Sequence, residues 1–133
     1  MNTPARDLAN AATPAPSDAT AWYLSSNQAG MAARHANAIV IQGQRLDGNA
    51  ASYQKFISAA AAQARSANPN VRVWAGPSTC AGGVPVTSSQ LFAAYQSVFP
   101  APVSGFWLNV PVWPACPDGN PLAAEEFLAD VYS

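Results

Sequence analysis

Three short stretches gather most of the residues that could do chemistry. "NAIVIQGQRLDG" (37–48) carries Gln42, Gln44, Arg45 and Asp47. "GPSTCAGGVPV" (76–86) carries Ser78, Thr79 and Cys80. "GFWLNVPVWPACPDGNP" (105–121) carries Trp107, Asn109, Trp113, Cys116 and Asp118. The carboxyls Asp47 and Asp118 are the only acids in this set, and a pair of acids is what glycoside hydrolysis needs. Each also has a plainer reading. Asp47 precedes Gly48-Asn49, and Asp118-Gly119 is a standard turn pair. Arg45 can pair with Asp47 or hold a ligand carboxylate bidentately. Trp107 and Trp113 offer flat faces for a sugar or another flat ligand, and Trp113, set among prolines, is the more exposed expectation.

Other chemistries are poorly supplied. His35 is the only histidine, and it lies before the second expected strand, away from the loops above. A Ser-His-Asp triad or a Cys-His pair is therefore disfavoured. One histidine and two cysteines give no zinc spacing, and the acids are too scattered for a calcium loop, so no metal is expected. "SSNQAG" (25–30) is not a Gly-rich phosphate loop, and no cofactor is expected. Glu125 and Glu126 fall early in the last expected helix, where acids complement its dipole.

These loops need elements to hold them. Runs rich in Val, Ile, Trp and Tyr read as four strands: Ala21 to Ser26, Asn37 to Gln44, Val71 to Pro77 and Gly105 to Val110. Helical patterns lie between and after them. "GMAARHA" (30–36) is a short turn. Tyr53, Phe56, Ile57, Ala60 and Ala64 share one face of a helix that Asn49 caps and Asn68-Pro69 stops. Leu91, Phe92, Tyr95, Val98 and Phe99 share the face of another, started by Thr87 or Ser88. Leu122, Phe127, Leu128 and Val131 bury one side of a last helix with Pro121 in its first turn.

Four βα units in a row imply parallel strands with right-handed crossovers. The leading expectation is an α/β half of a (βα)8 barrel, closed by dimerisation or covered by the N-terminal arm. The alternative is an open parallel sheet. Alternation puts Val40, Gln42 and Gln44 on one side of the second strand, with Ile39, Ile41 and Gly43 on the other. Trp107 and Asn109 share one side of the fourth strand, opposite Phe106, Leu108 and Val110. The Ile and Phe sides suit helices, so the Gln and Trp sides would line a barrel interior. In barrels, the loops after the strands carry the site.

The 133 residues suit one domain. Residues 1–20, rich in Pro, Ala, Ser, Thr and Asp, read as a flexible arm before a domain at 21–133. They hold no apolar signal-peptide core, and such arms commonly follow a removed signal peptide. Half the residues are hydrophobic and 10% are charged, with a net charge of −1 and Lys55 the only lysine. No basic stripe exists, so nucleic acid is not an expected partner. No apolar run is long enough for a membrane span. Cys80 and Cys116 follow two strands expected to be adjacent, so a disulfide is expected, with two free buried thiols as the alternative. It would close about 36 residues and stabilise by roughly 3–4 kcal/mol in the chain-entropy model. It would also place the protein in an oxidising, extracytoplasmic setting.

"NAIVIQGQRLDG", "VRVWAGPST" and "VSGFWLNVP" resemble small secreted actinobacterial proteins of unassigned function. More distantly they resemble the spherulation-specific family and related sugar-hydrolase barrels. The likeness runs from about Trp22 to Tyr132 and implies a secreted, barrel-type protein. In those hydrolase barrels the fourth strand ends in an acidic pair. The matching place here reads Leu108-Asn109-Val110, so no catalytic residue carries over.

The expected function is binding of a small molecule or glycan at the βα loops, through Gln42, Gln44, Arg45, Ser78, Thr79, Trp107, Asn109 and Trp113. One alternative is a glycosidase-like hydrolase using Asp47 and Asp118. Others are a cofactor-free lyase or cyclase, and a structural or partner-binding role.

Overall fold

The computed structural model describes residues 16–81, 84–110 and 120–133. In chain order they form α1 (Pro16–Ser25), α2 (Gln28–Ala33), β1 (Ala38–Ile41), a 3-10 turn (Gln44–Leu46), α3 (Ala50–Ala67), β2 (Arg72–Ala75), β3 (Cys80–Ala81), β4 (Val84–Pro85), α4 (Ser88–Val98), β5 (Gly105–Phe106) and α5 (Pro121–Val131). The main sheet is parallel, with strand order β1-β2-β5. Ile39 lies opposite Val73 and Val40 opposite Trp74, and Trp74 lies opposite Gly105. β3 and β4 make a small antiparallel hairpin beside it.

The helices start and stop where local chemistry says they should. The Asn49 side chain accepts from the Ser52 N–H at 3.1 Å, capping α3. Asn68 ends it in an extended conformation, as the following proline demands. Thr87 and Gln90 form a reciprocal capping box at α4. Pro121 occupies the first turn of α5, where its missing N–H costs nothing.

One face of the sheet is covered. Ile39, Ile41, Val73 and Ala75 are buried with Tyr53, Phe56, Ile57, Ala60 and Ala64 of α3 and with Ala94 and Val98 of α4. Phe106 joins Tyr95 and Phe127 in edge-to-face contacts with centroids 5.8 Å apart or less. On the opposite face Val40 and Trp74 are half-buried and Trp107 is exposed. A Cβ on Gly105 would sit 3.2 Å from Trp74 Cδ1, so glycine lets the indole lie close across β5.

The first expected strand is corrected. Ala21–Ser25 lie in α1, and Ser26 follows it. Their aromatic composition favours a strand, but Tyr23 buries against Phe56 of α3 at a centroid distance of 5.5 Å. That contact outweighs a weak local preference. Among the described residues the sheet therefore has three parallel strands and is open. This matches the alternative expectation of an open parallel sheet, and the four-unit half-barrel is not confirmed. The expected arm boundary at residue 20 falls inside α1, and residues 1–15 lie outside the described residues.

Candidate functional site

The C-terminal ends of β1, β2 and β5 meet at one edge of the molecule. β2 and β5 stay paired past their regular spans. Trp107 N–H donates to Ala75 O at 2.8 Å, Asn109 N–H to Pro77 O at 2.8 Å, and Thr79 N–H to Asn109 O at 3.0 Å. Ser78 and Asn109 thus form an isolated parallel bridge. This ladder carries the expected fourth strand to Asn109. Trp107 is 61% exposed on the helix-free face. Gln42, just past β1, is half-buried beside Gly76, where a Cβ would meet Gln42 Cγ at 3.0 Å.

The expected ligand residues divide by exposure. Gln42, Gln44 and Asn109 are half-buried and Arg45 is exposed, so all four can meet a ligand. Ser78 and Thr79 are fully buried, so their side chains lie beneath this edge rather than on it. Trp113, Cys116 and Asp118 lie outside the described residues. Cys80 is buried and is not a free thiol; its expected partner is Cys116. His35 is exposed just after α2. Among the described residues no cluster of His, Cys, Asp and Glu could hold a metal. No helix there is long and apolar enough to cross a membrane.

Asp47 is 1% exposed. Its Oδ2 accepts from the Ser78 N–H at 2.7 Å. Burial disfavours its ionised form and lifts its pKa from 3.8 to about 7, against the lowering effect of the Ser78 and Asp47 N–H groups. Tyr53 of α3 faces the same carboxyl. Burial raises the Tyr53 phenol first, and the Asp47 charge raises it further. Its buried hydroxyl has no hydrogen-bond partner among the described residues. A pKa near 7 suits proton transfer, but a carboxyl closed off this completely does not reach a substrate in this conformation.

Sequence reading missed two contributors. Asn120 donates its amide to Thr79 O at 2.9 Å and to Val86 O at 2.7 Å, tying the start of α5 to both. Its backbone is left-handed, with φ 51°, a conformation asparagine tolerates better than most residues. Asn directly before Pro121 was the available signal. The β3–β4 hairpin was the other, announced by Gly82-Gly83 between Ala81 and Val84.

On the opposite side of the molecule, Asn27, Arg34, Gln63 and Ser66 line a shallow hollow of about 380 Å³. Comparison with protein-family models, with curated proteins and with solved structures finds no match for this chain.

Proposed function

We propose that the protein binds a small molecule or glycan at the C-terminal ends of β1, β2 and β5. One observation carries this reading: Trp107 is 61% exposed on the helix-free face, with half-buried Gln42 and Asn109 at the same end of the sheet. A bulky indole left in water is a ready stacking platform. Carboxamides both donate and accept, as sugar hydroxyls do. Intrinsic fluorescence titrations with a panel of neutral oligosaccharides test it. Trp107→Ala is expected to weaken any binding found at least tenfold, about 1.4 kcal/mol. Affinity unchanged by Trp107→Ala sinks the site as drawn.

An extracytoplasmic location belongs to the same reading, in keeping with the resemblance to secreted proteins and with Cys80 not being a free thiol. Alkylation before and after reduction tests it, and two thiols reactive in the unreduced, unfolded protein would refute it. A homodimer is the proposed assembly, supported by the sheet face that no helix covers among the described residues. Hydrolysis through Asp47 is not favoured, because its carboxyl is enclosed.

A further inference from the structure

β2 sends alternate N–H groups toward β1. Arg72 N–H donates to Asn37 O at 3.0 Å, and Gly76 N–H donates to Ile41 O at 2.9 Å. The next donor in that series is Ser78, but β1 has ended and the chain has turned into the 3-10 segment Gln44–Leu46. A buried N–H without a partner costs about 1–3 kcal/mol. The Asp47 carboxylate takes the place of the missing strand carbonyl, at 2.7 Å.

What Ser78 holds in turn is the site. The Ser78 hydroxyl accepts from the Cys80 N–H at 3.3 Å. On either side of Ser78, Pro77 O and Thr79 N–H are the two groups that grip the backbone of Asn109. We propose that Asp47 is a positioning residue: it extends the sheet by one rung and thereby fixes where Asn109 and the end of β5 present themselves. Among the described residues few titratable groups surround it. Tyr53 faces it from α3, Ser78 and Thr79 bring no ionisable group, and Arg45 on the same turn is exposed. The inference rests on this edge being the binding site, yet its test needs no ligand. Its failure is therefore distinct from a failure to bind oligosaccharides.

The test is amide hydrogen exchange and a pH titration on the ¹⁵N-labelled full chain. In Asp47→Ala, Ser78, Thr79 and Asn109 are expected to exchange about tenfold faster or more, with Val73 and Ala75 within about twofold of the parent. Asp47→Asn keeps an acceptor oxygen and is expected to restore most of that protection. In the unmodified protein the Ser78, Thr79 and Asn109 amide resonances should move together with the Asp47 carboxyl as it titrates. This last measurement decides the matter if Asp47→Ala does not fold. Equal acceleration across the whole sheet, or Thr79 and Asn109 resonances unmoved while Asp47 titrates, overturns the proposal.

Discussion

Asp47 carries a testable dependence on pH. Its folded pKa, about 7, stands above the 3.8 of an ordinary aspartate because burial penalises the charge. The folded state therefore holds the proton more tightly than the unfolded chain. The stabilising contribution is complete below pH about 4 and is lost as pH rises through about 7. The full shift corresponds to roughly 4 kcal/mol, an upper figure for a group that relaxation and water can partly rehydrate. Urea midpoints are expected to fall between pH about 4 and about 7.5, and Asp47→Asn to flatten that fall. An equal slope in both proteins would refute this. The sequence marked Asp47 as an acid near a turn. It could not show that the backbone beyond β2 would need it, because that demand arises only when pairing with the β5 side runs on to Ser78 and Asn109 after β1 has ended at Ile41.

At the scale of elements, legibility followed the range of the cause. The starts of α3, α4 and α5 were readable because Asn49, Thr87 and Pro121 act within one turn. β1 and β2 were readable because their alternation is local, with Ile39, Ile41, Val73 and Ala75 on the buried side. α1 was not readable, since Tyr23 is drawn into the core by Phe56, more than thirty positions on. The clasp by Asn120 depends on contacts just as remote, reaching back to Thr79 and Val86. Asn120→Ala removes both hydrogen bonds and is expected to destabilise by about 2 kcal/mol in chemical denaturation. Asn120→Gly suits the left-handed backbone but lacks the amide, so it should fall nearly as far. A glycine variant as stable as the parent would mean that the backbone conformation matters and the clasp does not.

At the scale of the whole molecule, the described residues leave one physical demand open. All-parallel sheets occur almost only with both faces covered. Here Ile39, Ile41, Val73 and Ala75 are under helices, whereas Val40 and Trp74 are half-buried and Trp107 is exposed on the other side. Among the described residues β1 and β5 each also have one edge without a strand neighbour, a surface that proteins usually protect. The proposed second copy would answer both needs. Its β1 laid beside β5 continues the parallel order, and a two-fold axis repeats the contact on the other side. Repulsion is small, because the net charge is only −1. Trp107 would then stand near the mouth of the enclosed space, where a ligand could still reach it. Light scattering is expected to give twice the 13.8 kDa chain mass at micromolar concentration. A monomer at every concentration tested would refute the dimer. It would leave the Trp107 stacking surface as the feature that an oligosaccharide must cover.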